Sequence, residues 1–269
     1  MEWIDAVILG LVQGFTEFLP ISSTGHLVLV RDWLSIASTD ALAFDAMLHF
    51  ATTTAVIIYF WNDIWTLVQA ALRKLGKLPV NERDITLLYA LIIGTIPGAT
   101  LGFFLESTIT EYLQTPMFVA SALFFASIFF MYAEWRYYLR PSNREMTLKT
   151  GVLVGVFQAL ALIPGMSRSG STIAGGMLLG LSRYEATRFS FLLAIPITLG
   201  VGLKKSLDLL EQGGETDWVL IGIGVSIAFV TALIVIHFFL GFVKKYTLWP
   251  FVWYGIILSA MVGYVSFIS

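Results

Sequence analysis

Ten residues of this chain hold Glu17, Ser22, Ser23, Thr24 and His26, and Gln13 precedes Glu17 by four positions. On a helix Gln13 and Glu17 share one face and point at one volume. Glu17 is thereby placed to hold a divalent cation or to act as a base, and a hard, oxygen-liganded cation is the natural bridge between a carboxylate and phosphate. Ser22, Ser23 and Thr24 follow Pro20, where a half-helix is expected to begin, and the free N–H groups and positive dipole end of such a start attract anions. Capping explains one hydroxyl, not three beside a histidine. His26 lies three residues after Ser23, so one helical turn brings its imidazole toward the Ser23 hydroxyl as general base, with Ser23 as nucleophile.

A second stretch, Ile163-Pro164-Gly165-Met166-Ser167-Arg168-Ser169-Gly170, supplies the cation that the first lacks. The Arg168 guanidinium matches phosphate oxygens bidentately. Ser167 and Ser169 flank it, Gly170 allows close backbone approach, and Ser171 and Thr172 begin the following half-helix. Without a substrate, Arg168 and Glu17 can pair. Gly175, Gly176 and Gly180 read as close helix packing rather than a phosphate loop, and His49 and His237 as packing or hydrogen-bonding residues. Together the two stretches hold parts for phosphoryl transfer.

The elements that must position these groups are membrane helices. The 269 residues are 57% hydrophobic and 13% charged, with a mean hydropathy of +0.82, far too apolar for an ordinary soluble domain. Several apolar runs reach the roughly 20 residues that cross a bilayer, without the alternation of a β-barrel. No basic tract suggests nucleic acid. The absence of cysteine excludes disulfides and thiol chemistry. The acidic start, Met1-Glu2-Trp3-Ile4-Asp5, does not resemble a cleaved signal peptide, so the first helix is expected to stay.

Residues 3–34 read as a re-entrant hairpin of two short apolar pieces, 3–18 and 23–34, broken at Leu19-Pro20-Ile21-Ser22; a single kinked span over 7–30 is the alternative. Spans are predicted near 42–62, 85–105 and 117–136, then a second broken hairpin over 150–181, then spans near 186–203, 218–241 and 249–268. Gly10-Leu-Val-Gln13, Pro20 and Ser23 parallel Gly155-Val-Phe-Gln158, Pro164 and Ser167 with a one-residue gap. The expected fold is therefore one all-α polytopic domain over 1–269, an inverted-topology repeat of halves 1–136 and 150–269. Predicted loops at 63–84, 137–149, 182–188 and 242–248 hold most of the Lys and Arg. The other face has Arg31, Lys204 and Lys205 beside Glu106, Glu111, Glu215 and Asp217. The positive-inside rule then puts both termini outside, with the two broken tips meeting near mid-membrane.

Gln13-Gly-Phe-Thr-Glu17-Phe-Leu-Pro-Ile-Ser22-Ser23-Thr-Gly-His26, taken with Pro164-Gly-Met-Ser167-Arg168-Ser169-Gly170, closely resembles the two signatures of the undecaprenyl-diphosphate phosphatase family of the bacitracin-resistance type, over essentially the whole chain. The resemblance implies a bacterial plasma-membrane hydrolase that converts undecaprenyl diphosphate to the monophosphate and inorganic phosphate, recycling the lipid carrier of peptidoglycan and conferring bacitracin resistance. It implies Mg²⁺ or Ca²⁺ as cofactor and a site open to the outer face. By position it makes Glu17 the essential acid, Ser23 and His26 the nucleophile and its partner, and Arg168 the phosphate-binding arginine. Ser22, Thr24, Ser167, Ser169, Gly170 and Thr172 surround the phosphates. The family often has Glu where this chain has Gln13, which leaves Glu17, with Gln13 beside it, to hold the metal. A secondary transporter or lipid flippase is the competing reading, since inverted repeats with broken helices are transporter architecture. The sequence leaves a homodimer open.

Overall fold

The computed structural model describes residues 1–36, 41–112, 115–212 and 217–268. Glu215 lies outside them, as do the side chains of Glu106, Glu111, Lys204 and Lys205. The described residues form eleven helices: α1 (Trp3–Thr16), α2 (Ser23–Trp33), α3 (Ala41–Tyr59), α4 (Trp61–Leu75), α5 (Glu82–Tyr112), α6 (Pro116–Leu139), α7 (Leu148–Leu160), α8 (Arg168–Leu178), α9 (Arg183–Gln212), α10 (Trp218–Lys245) and α11 (Trp249–Ile268).

Glu82–Leu105, Pro116–Leu139 and Trp218–Lys245 are each long and apolar enough to cross a membrane. Large apolar side chains such as Phe103, Phe104, Phe125 and Phe238 are exposed along these helices, as lipid-facing positions require. The remaining predicted spans coincide with α3, α9 and α11, none of which, over its described residues, is by itself long and apolar enough to cross; α3 reaches that length only together with α4. The segment 63–84, expected to be a loop, is instead largely α4, which bends 73° away from α3. Its polar residues hid a helical period: Trp61, Trp65, Val68, Leu72 and Leu75 recur at one-turn spacing.

Both predicted breaks are present, each between two short helices that touch each other. α1 and α2 are interrupted at 17–22, and α7 and α8 at 161–167. Each first arm is housed by a helix from far along the chain, α1 by α10 and α7 by α5. Glycines set those contacts. A Cβ on Gly10 would lie 2.6 Å from the Gly224 carbonyl oxygen, and one on Gly155 would collide with the backbone of Gly94. Without side chains there, the helix backbones approach closely enough for main-chain van der Waals contact. Gly175 lies against Phe157 and Gly176 against Ala186, packing positions as expected.

The largest apolar core joins α3, α6, α8, α9, α10 and α11 to the first tip. Phe18, fully buried beside Glu17, meets the Phe191 ring edge-on at 5.0 Å and so pins that tip to α9.

Candidate active site

The two tips are built alike. Ser22 caps α2 with φ 68° and ψ 93°, its side chain accepting from the Gly25 N–H; Ser167 caps α8 with φ 54° and ψ 111°, its side chain accepting from Gly170. Positive φ is uncommon outside glycine, and such backbone persists where surrounding structure over-determines it. Ser22 and Ser167 stand at the same 145-residue separation as Gly10 and Gly155 or Gln13 and Gln158. The one-residue gap expected from matching the prolines is therefore absent: the serine caps, not the prolines, keep the register. The first helical residue is Ser23 at one tip and Arg168 at the other. At each start the leading N–H groups have no partner within their own helix.

Glu17 sits between the tips, and its side chain is only 5% exposed. Its Oε1 accepts from Arg168 Nη2 at 2.8 Å. Its Oε2 accepts from Ser23 Oγ at 2.6 Å and from Gln13 Nε2 at 3.0 Å, with His49 Nδ1 3.2 Å away. Gln13 Nε2 also lies 2.9 Å from His49 Nδ1. Arg168 is steadied from behind, its Nη1 donating to the Ser190 carbonyl at 3.3 Å. Ser169 Oγ donates to the Leu19 carbonyl at 2.8 Å and so ties tip to tip. A cavity of about 150 Å³ opens here, lined by Glu17, Ser22, Ser23, Thr24, His49, Ser167, Arg168, Ser169 and Thr198 among others. The exposed Thr24 brings it to the protein surface.

The expected residues divide into two groups. Glu17, Ser22, Ser23, Thr24, Ser167, Arg168 and Ser169 face one cavity, with Gln13 directly behind Glu17. His26 does not meet Ser23. Its Nδ1 is engaged with the Ser22 carbonyl at 2.7 Å and its Nε2 with the Tyr254 hydroxyl at 2.7 Å. The imidazole stacks on that ring, because Ser23 turns back to Glu17 while His26 turns out to α11. Thr172 is turned to α9, bonding the Arg168 carbonyl and Ser190 Oγ. Gly170 commits its N–H to the Ser167 cap. His49, read from sequence as a packing or hydrogen-bonding residue, does hydrogen-bond, but at the cavity itself, where it touches Glu17. No local pattern marks it, since it comes from α3, 32 positions beyond Glu17.

Glu17 and Gln13 suit a hard cation. Gln13 Oε1 is buried without a hydrogen-bond partner among the described residues, and a carboxylate plus substrate phosphate oxygens is how Mg²⁺ is commonly held.

Fold and site together define a multi-pass helical membrane protein with one polar centre between two broken hairpins. A profile of the family described as "Bacitracin resistance protein BacA" matches residues 6–261. Similar proteins carrying the name undecaprenyl-diphosphatase include one from Trichlorobacter lovleyi, 42% identical with 98% of each chain covered. Another, from Micrococcus luteus, is 38% identical over 97% of this chain and 96% of its own. A third, from Alteromonas mediterranea, is 38% identical over 99% of this chain and all of its own. The chain belongs to the BacA family.

Proposed function

We propose that this protein is an undecaprenyl-diphosphate phosphatase, hydrolysing undecaprenyl diphosphate to undecaprenyl phosphate and inorganic phosphate. It thereby recycles the lipid carrier for peptidoglycan synthesis and confers bacitracin resistance. The observation that carries this reading is the Ser23 hydroxyl bonded to Glu17 and opposed by Arg168 at two helix starts in one cavity. An ion or solute carrier needs no such hydroxyl and base.

In the proposed reaction the diphosphate enters between the tips. Arg168 exchanges Glu17 for phosphate oxygens, and the unpaired N–H groups of both helix starts take the remaining charge. Ser23 Oγ attacks the terminal phosphorus and gives its proton to Glu17 Oε2, the role that sequence spacing had offered to His26. The bond to the bridging oxygen breaks and undecaprenyl phosphate leaves. The leaving undecaprenyl phosphate carries that proton away. Water, deprotonated by the freed Glu17 carboxylate, then attacks the phosphorus, the Ser23–phosphorus bond breaks, inorganic phosphate is released, and Glu17 returns the proton to Ser23 Oγ. Glu17 and Gln13 would hold Mg²⁺ or Ca²⁺, which supplies charge neutralisation on the phosphates.

The reading extends to architecture. Halves 1–136 and 150–269 form an inverted-topology repeat in a bacterial plasma membrane, with both termini outside and the cavity open to the outer face. It is supported by the matching order of elements, the paired serine caps, the reciprocal housing of α1 and α7, and the Lys and Arg bias.

Phosphate release from a polyprenyl diphosphate by purified protein in detergent tests the activity. No release in that assay, together with transport in liposomes, would make the protein a flippase or transporter instead. Trapping locates the nucleophile: radiolabel is expected on Ser23, and label on His26 would refute that assignment.

A further inference from the structure

α4 is an element that the proposed reaction does not use, and its surface has two unlike faces. Ile64, Leu67 and Ala70 pack inward. Trp61, Trp65, Val68, Leu72 and Leu75 are between 40% and 80% exposed. At 100° per residue they fall within an arc of roughly 80°, a continuous apolar stripe. The helix is too short to cross a bilayer and leaves the axis of α3 at 73°. Its last turn and the residue after Gly76 carry Arg73, Lys74 and Lys77, all exposed and without an ion-pair partner among the described residues. An apolar stripe with tryptophans beside a free basic end fits the boundary between acyl chains and anionic headgroups.

α4 is also wired to the site. Asp63 in its first turn accepts from Arg188 Nε at 3.1 Å and pairs with Arg188 Nη2. Two residues further along α9, the Ser190 carbonyl holds Arg168 and its hydroxyl holds Thr172.

We infer that α4 is an interfacial anionic-lipid-binding helix whose seating is transmitted through Asp63 and Arg188 to the α9 turn that holds Arg168. Anionic lipid steadies that turn, and turnover rises with it.

Two measurements test this. The first needs no activity. Because the chain has no cysteine, single substitutions Leu72→Cys and Gln69→Cys can each carry a fluorophore in nanodiscs. The Leu72 label is expected to be shielded from a water-soluble quencher and the Gln69 label open to it; equal quenching overturns the interfacial placement. The second rests on the phosphatase reading and compares phosphate release in phosphatidylcholine discs with discs containing phosphatidylglycerol. The parent is expected to be several-fold faster with the anionic lipid. The combined variant Arg73→Gln, Lys74→Gln, Lys77→Gln is expected to lose that difference and keep its rate in detergent. An unchanged lipid response in this variant overturns the anionic-lipid role, and a full response in Asp63→Asn overturns the transmission route. Absence of phosphate release by the parent in detergent counts against the phosphatase reading and leaves the label result to decide the placement.

Discussion

Glu17 is the point on which the polar centre turns, because one carboxylate receives an arginine, a serine and a glutamine and lies beside a histidine. Removing it leaves Arg168 without a counter-charge and Ser23 without a proton acceptor. Glu17→Ala and Arg168→Ala are each expected to abolish turnover, by about 100-fold or more, yet to elute from size exclusion as folded protein, since the cavity reaches the surface and water can solvate the partner left behind. His237→Ala, far from this centre on α10, is expected to leave activity largely intact; a comparable loss there would point to general destabilisation. His49 fixes the orientation of Oε2, and a misplaced reacting group costs up to about 100-fold. His49→Ala is thus expected to lower kcat more than it changes KM, while His49→Gln, which keeps an N–H for the carboxylate, restores much of the rate. Equal activity of the two variants would mean that His49 only fills space. Of these residues, Gln13, Glu17, Ser23 and Arg168 were legible in the sequence because polar groups stand out in an apolar run. His49 and the Tyr254 partner of His26 were not, because both depend on which distant helix packs alongside.

At the scale of elements, proline and glycine made the two breaks readable; the first agrees with the helices found to within two residues, whereas the second, expected over 163–170, lies at 161–167 with α8 beginning at Arg168. The register between them was not readable from the prolines, since the shared geometry lies in a serine cap with positive φ, a property of the folded backbone. α4 went unread because its Asn, Asp, Gln and Arg residues look like a loop until the one-turn spacing of its apolar residues is counted. Helix contact rather than loop chemistry is what the glycines secure. Gly155→Leu would force α7 off the backbone of α5, and overpacking of this kind costs about 1–3 kcal/mol, with more expected where backbones must separate. A lowered melting temperature together with lost activity is the expected result. A variant as stable as the parent would show that the α5–α7 contact tolerates separation.

For the whole molecule, what the sequence offered was a count of spans, an order and a charge bias, enough to propose two opposed halves. It could not say how those halves share side chains across their boundary. The structure joins residues far apart in the chain at several levels: Ser169 bonds the Leu19 carbonyl, Arg168 bonds Glu17, and Thr53 Oγ1 donates to Thr198 Oγ1 at 2.6 Å. Nothing in a linear reading distinguishes Thr53 from its neighbours Thr52 and Thr54. Only the crossing of α3 over α9 does.

The lodging of α1 against α10 and of α7 against α5 means that, in the proposed two-half architecture, each half keeps its partner's first arm. A lone half would present two glycine-lined backbones to lipid and possess only one side of the polar centre. Covalent continuity through 141–147, which holds no helix before Leu148, then matters less than mutual custody. Chains cut after Ser142 and expressed together are expected to co-purify and hydrolyse the lipid diphosphate, whereas either fragment alone is expected to be inactive and rapidly degraded. Activity from a single fragment would show that the centre does not need both donors.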